Sequence, residues 1–207
     1  MTAAATSQCP DLLAVHPIDE FVLSVPDLEE ARRFYTSFGL NVRDEGGALA
    51  LYTHGHAHRW ARILRGPAKR ILWLSLGIHA RDEQRFAQRV AEQGIPRIAA
   101  PKEADTEGLW IEGPDGLPLQ LRAAAKSSPS QPSPREFPPA SNNHGRAPSR
   151  SRAQAAQPLY LSHILLFSAD VDRAREFYQD VLGVRLSGKT GSVIAFMHRP
   201  HGSDHHL

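Results

Sequence analysis

One stretch of this chain occurs twice, and the repeat restricts the possible folds more than any other feature. Glu20–Tyr35 reads EFVLSVPDLEEARRFY and His163–Tyr178 reads HILLFSADVDRAREFY. Aligned without a gap, the two share Leu23/Leu166, Asp27/Asp170, Ala31/Ala174, Arg32/Arg175, Phe34/Phe177 and Tyr35/Tyr178. A repeat of this kind is one structural unit used more than once.

Each copy reads as strand, cap, helix. Val22–Val25 and Ile164–Phe167 are apolar runs of strand length. Asp27 and Asp170 follow, placed to accept bonds from the first free N–H groups of a helix. Glu30, three residues after Asp27, has the spacing of the far half of a capping box. Leu28, Ala31, Phe34, Tyr35 and Phe38 recur at helical spacing, as do Val171, Ala174, Phe177, Tyr178 and Val181, so both faces are expected to pack on a sheet. Gly39 and Gly183 are placed to stop the helices. Strand-like segments follow: NVRDEGG, ALALYTH and WARILRG in the first copy, VRLSGKTG and SVIAFMHRP in the other. A further unit begins at RILWLSLGI, runs through a helix over Asp82–Gln93 closed by Gly94, and ends in LWIEGPDGLPLQLR. The unit is βαβββ. The predicted class is α+β, with paired βαβββ modules in residues 17–122 and part of a third in residues 158–207.

Between them, residues 123–157 are rich in Pro, Ser and Arg and lack apolar periodicity, as expected of a disordered tether open to trypsin at Arg146, Arg150 and Arg152. This segment carries Lys126, Arg135, Arg146, Arg150 and Arg152 against Glu136, a balance of +4, whereas the whole chain is +2. The remainder is therefore slightly acidic, which argues against a groove for nucleic acid. No apolar run approaches the roughly 20 residues that a bilayer requires, and the start has no basic region before an apolar stretch, so neither a membrane span nor a signal peptide is expected. Cys9 is the single cysteine. It excludes an internal disulfide, fits a cytoplasmic location and has no His neighbour to activate it.

The strand followed by D-x-x-x-A-x-x-F-Y and Gly, together with the closing G-P-D-G-x-x-x-[EQ]-L at Gly113–Leu121, resembles the vicinal oxygen chelate superfamily: glyoxalase I, bleomycin and fosfomycin resistance proteins, and type I extradiol ring-cleaving dioxygenases. The resemblance implies that paired modules curl their mixed sheet into a cup. It further implies a divalent metal held by His or Glu of the first strands and Glu of a last strand. In the dioxygenases only the C-terminal domain keeps the metal, Fe(II) or alternatively Mn(II), with open positions for substrate and oxygen.

Carried onto this sequence, the first-domain ligand positions are Glu20, roughly Trp73, and Gln120. An indole does not ligate a metal and an amide is a poor substitute for carboxylate, so residues 17–122 are expected to be metal-free. In the other domain the resemblance makes His163 a metal ligand. A histidine about 45 residues after that ligand serves the dioxygenases as acid/base; here His206 is the first choice and His205 the second. The implied reaction is ring cleavage of a small aromatic diol by O2. The second ligand histidine and the Glu belong to a fourth unit that these 207 residues do not contain. The chain as written is thus expected to lack measurable activity, and its open strand edges favour a homo-oligomer.

Two alternatives accompany this reading. A sequestering protein of the bleomycin-resistance kind would use a cleft lined by Trp60, Trp73 and Trp110, and a glyoxalase-type lyase is the third possibility. His54, His56 and His58 alternate in HGHAH, a pattern of solvated loop histidines or of an adventitious Zn or Ni site.

Overall fold

The computed structural model describes residues 12–125 and 157–200. The first module is β1 (Ile18–Val25), α1 (Leu28–Ser37), β2 (Asn41–Glu45), β3 (Ala48–Tyr52) and β4 (Arg59–Arg65). The second is β5 (Arg70–Ile78), α2 (Glu83–Glu92), β6 (Leu109–Glu112) and β7 (Pro118–Ala123). The third contributes α3 (Val171–Asp180), β8 (Arg185–Thr190) and β9 (Ile194–His198). Among the described residues no helix is long and apolar enough to cross a membrane.

Strands β1 to β7 form one mixed sheet in the order β2-β3-β4-β1-β5-β7-β6. Each first strand lies parallel to the last strand of its own module, β1 to β4 and β5 to β7, and the modules join through the antiparallel pair β1·β5. The paired-module α+β fold expected from the repeat is therefore present. Its second module departs from the pattern. Where the strand before β6 should run, only an isolated bridge forms, Arg97 to Ile111. Pro96 and Pro101 flank this stretch and remove two ladder donors from it.

The caps form as the repeat predicts, with one difference. Asp27 accepts from the backbone N–H of Glu29 and Glu30, and Asp170 from that of Arg173. Glu30 closes no capping box; its carboxylate takes a bond from Lys69 at 3.4 Å. Gly39 and Gly183 adopt the left-handed conformation that ends each helix, φ 96 and 72.

One face of the sheet carries the helices, and there the third module joins the second. Tyr178, Val181, Leu182, Val184 and Met197 share a core with Val15, Leu74, Phe86 and Leu119. Val15 donates to the Leu182 carbonyl at 3.0 Å, and Arg89 donates to the carbonyls of Leu13 and Val181. Two expectations fail at this level. Phe34 and Phe38 of α1 do not pack on the sheet: both are 60% exposed, with their rings stacked 6.3 Å apart. Ile164–Phe167 is not a strand of either sheet; only His163 makes a bridge. Among the described residues it lacks the two flanking strands that β1 has in β4 and β5.

Candidate functional site

The first cup lies on the face of the sheet opposite the helices. Because side chains alternate along a strand, Glu20, Val22 and Ser24 of β1 share this face with Trp73 and Ser75 of β5. Glu20 is buried, and its carboxylate accepts from Arg59 Nε at 2.6 Å and from Arg62 Nε at 3.2 Å. The Arg62 guanidinium also lies 5.2 Å from the Trp73 ring centroid and donates to the Glu103 carbonyl. Gln120 is equally buried. Its oxygen accepts from Ser75 Oγ at 2.6 Å, and its nitrogen donates to Asp105 Oδ1 at 2.6 Å and to the Glu107 carbonyl at 2.9 Å.

The three positions read as degenerate ligand sites are thus brought together, each already engaged by the protein. The segment from Ile98 to Glu107 covers them: Ile98, Ala100 and Ala104 pack on Val22, Trp73 and Trp110. Trp73 and Trp110 meet edge to face at 6.1 Å, and the Trp60 indole donates to Thr53. All three tryptophans are buried; Trp60 and Trp110 belong to the core, while Trp73 also borders the groove described below. Sequence reasoning missed Arg62. Its signal was a charge inside the otherwise apolar strand WARIL.

His54, His56 and His58 sit in the loop after β3, which ends at Tyr52. His58 donates its backbone N–H to His56 Nδ1, and its own ring contacts the Asp19 carbonyl at 2.7 Å. No group of three or more potential metal ligands is found among the described residues.

His163 stands elsewhere, in an apolar groove of about 1240 Å³ bounded by β1 and β5 on one side and by β9 and α3 on the other. Phe21, Trp73, Leu165, Phe167 and Phe196 line it. The His163 ring is exposed, and its Nδ1 lies 2.9 Å from Ser162 Oγ, leaving Nε2 directed away from that bond. Ile164 and Leu166 turn the other way and pack on the core. Tyr178, also in the groove wall, has its phenol pushed up by burial, with a smaller contribution from the Asp115 charge.

Asp115 is a second residue that sequence reasoning left without a role, although it sits in the GPDG motif. Its backbone is left-handed, φ 57, and its carboxylate accepts from the Ala169 N–H at 3.1 Å. Bonds from the Ser168 hydroxyl and then from Ala169 hold its pKa below the usual carboxylate value. The turn of the second module therefore holds the strand-to-helix corner of the third. His205, His206, Cys9 and most of the 123–157 segment lie outside the described residues.

Residues 17–121 and 160–207 match the model of the Glyoxalase/Bleomycin resistance protein/Dioxygenase superfamily. Over 194 residues the sequence is 41% identical to Metapyrocatechase 2 of Cupriavidus necator, an alignment covering 94% of this chain and 60% of the relative. The chain thus spans about three-fifths of the length of that curated relative. Among solved structures, the Mn(II)-bound glyoxalase from Novosphingobium aromaticivorans superposes with a TM-score of 0.63 at 21% identity, over 89% of this chain and 58% of the other. A catechol 2,3-dioxygenase gives 0.62 at 17%, over 93% and 70%. The 2,2',3-trihydroxybiphenyl 1,2-dioxygenase of Sphingomonas wittichii strain RW1 gives 0.63 at 22%, over 92% and 66%. At such identities the structural likeness establishes the fold alone.

Proposed function

Since the chain belongs to the glyoxalase, bleomycin resistance protein and dioxygenase superfamily, we propose that it is part of a cytoplasmic extradiol dioxygenase that cleaves the ring of a small catecholic diol with O2. The observation that carries this reading is the position of His163: the third module repeats the first strand of the first, and His163 takes the place of Glu20 with its ring in an aromatic-lined groove. The identity to Metapyrocatechase 2 along most of this chain supports the same class of substrate.

The donor chemistry of His163 fits Fe(II), or alternatively Mn(II). Imidazole suits either transition metal, and a hydrogen bond at Nδ1 is the usual way to orient the other ring nitrogen toward a metal. A bound Fe(II) would supply the redox chemistry between diol and O2. The groove would bind the aromatic ring by its apolar wall and exclude water. His206, or His205 in second place, would take the proton of a diol hydroxyl and return it after cleavage. In the first cup, Glu20 and Gln120 would serve structure, their polar atoms already engaged by Arg59, Arg62, Ser75 and Asp105. A second reading, sequestration of an aromatic ligand without chemistry, is favoured by the predominantly apolar groove.

An anaerobic Fe(II) titration followed by oxygen uptake on catechol and 2,3-dihydroxybiphenyl tests the proposal on wild type and His163→Ala. One imidazole holds iron weakly, so turnover is expected only where further ligands join it. The expected result is at least about a tenfold loss of Fe(II) affinity in the variant, with any turnover lost alongside. Equal affinity in both proteins would remove His163 from the site. Metal-independent binding of catechol would favour sequestration.

A further inference from the structure

Arg62 is a charged residue on an apolar strand, and the first cup encloses it. In the register of the sheet it stands beside Val22 of β1, and Val22 stands beside Trp73 of β5, so the three share one row across the cup face. Neighbouring strands lie about 4.8 Å apart, so contact between Arg62 and the indole requires a side chain that crosses the width of β1. Arginine is long enough: its guanidinium carbon lies 5.2 Å from the Trp73 ring centroid. On the way Nε meets the two oxygens of Glu20 at 3.2 and 3.3 Å, and at the far end Nη1 donates to the Glu103 carbonyl at 3.2 Å.

The charges around this position call for one cation. Glu20 and Glu45 share Arg59, whose Nε lies 2.6 Å from the first and whose Nη1 lies 3.2 Å from the second. Two carboxylates against one guanidinium leave a single negative charge, and the Glu20 side chain is only 6% exposed. A buried carboxylate short of a partner is costly, so the site favours a second cation beside it. The surroundings also specify its shape. A guanidinium is flat, presents its N–H groups in one plane and stacks on an indole, which lets it meet a carboxylate, a carbonyl and an aromatic face together. An ammonium is a compact, strongly hydrated point charge and lacks that planar fit.

We propose that the first cup is a binding site for a planar organic cation, with Arg62 as its resident ligand, tethered to β4. The segment over the cup closes on this occupant. Ile98, Ala100 and Ala104 pack on Val22, Trp73 and Trp110, and the bond from Arg62 to the Glu103 carbonyl ties the same segment to the cage. Occupancy of the cage therefore sets how firmly residues 98–107 are held. Once the Arg62 side chain is removed, the cage takes up a free alkylguanidinium and discriminates against an alkylammonium of equal charge. The inference concerns the first cup alone, and it stands whether or not the dioxygenase reading does.

The test uses the full chain and amide exchange. The probes are the N–H groups of Ile98 and Ala104, which bond the Trp110 and Pro101 carbonyls; the control is the Val181 N–H in α3, which bonds Phe177. Arg62→Ala should exchange at least about tenfold faster at both probes and as wild type at the control. Low-millimolar methylguanidinium should restore protection in a saturable way, whereas methylammonium at the same ionic strength should not. The double variant Glu20→Gln, Arg62→Ala should gain nothing from either. Unchanged exchange in Arg62→Ala would overturn the proposal. So would equal rescue by both cations, rescue by neither, or rescue that persists without the Glu20 carboxylate. Arg62→Lys keeps the charge and most of the stem, and covers the case in which Arg62→Ala does not fold. It should leave far-UV circular dichroism unchanged and still speed exchange at Ile98 and Ala104; wild-type protection in Arg62→Lys would show that charge alone suffices and would overturn the planar site.

Discussion

At Gln120 the choice of an amide over a carboxylate has a local cause. Its nitrogen donates to the Asp105 carboxylate and its oxygen accepts from Ser75, a pattern that an ionised Glu has no means to reproduce. Gln120→Glu would put two carboxylates at hydrogen-bond distance in a buried site. The expected loss is about 2–3 kcal/mol at pH 7, smaller at pH 5 as the new pair shares a proton, measurable by urea unfolding at both values. Arg199 presents the opposite case. It is 2% exposed, and among the described residues none of its three guanidinium nitrogens has a hydrogen-bond partner. A buried charge without a partner is costlier than an apolar side chain of similar volume. Arg199→Met is therefore expected to stabilise the fold by about 2 kcal/mol, seen as a higher urea midpoint; a lower midpoint would show that the guanidinium makes a favourable contact.

The helices and the corners that end them show how elements inherit or escape the repeat. Both Asp caps form, because a cap depends on residues adjacent in sequence. The apolar faces diverge. Tyr178 and Val181 of α3 are buried while Phe34 and Phe38 of α1 are exposed, since only α3 has the second module against it. Gly183 marks how close that contact is: a Cβ there would lie 2.3 Å from the Leu13 carbonyl oxygen and 2.8 Å from the Ala14 Cβ. Its φ of 72 adds a backbone penalty for any L side chain. Gly183→Ala is expected to cost at least about 2 kcal/mol, and to raise hydrogen exchange at Val15, whose N–H bonds Leu182. Gly94→Ala, with a similar φ but open space around it, provides the control that isolates the close contact.

Taken as a whole, the chain is held together by one core that spans the second and third modules and by the GPDG turn. Asp115 links that turn to Ala169 and Ser168, and both bonds favour its ionised form. A carboxyl whose folded pKa is depressed contributes stability above its unfolded value of 3.8 and loses it as pH falls through the lower, folded value. Acidification below roughly pH 4 should therefore loosen the corner at Ser168–Asp170 before the seven-stranded sheet unfolds, read as faster amide exchange there. Asp115→Asn tolerates the left-handed backbone and lacks the titrating charge, so it should flatten that pH dependence.

The repeat, its caps and the succession of strands and helix in the first module were readable from sequence because they depend on neighbours in the chain and on periods of two and 3.6 residues. The reading of Trp73 and Gln120 as poor metal ligands likewise rests on side-chain chemistry and not on any contact made by folding. Tertiary structure alone decided where repeated residues diverge. Val22 is buried and its counterpart Leu165 is bare, because a strand is finished only by its flanking partners and those come from distant parts of the chain. The same holds for Arg62 on Glu20 and for Asp115 on Ala169: partners 42 and 54 residues away meet only once the sheet and the helix face have placed them.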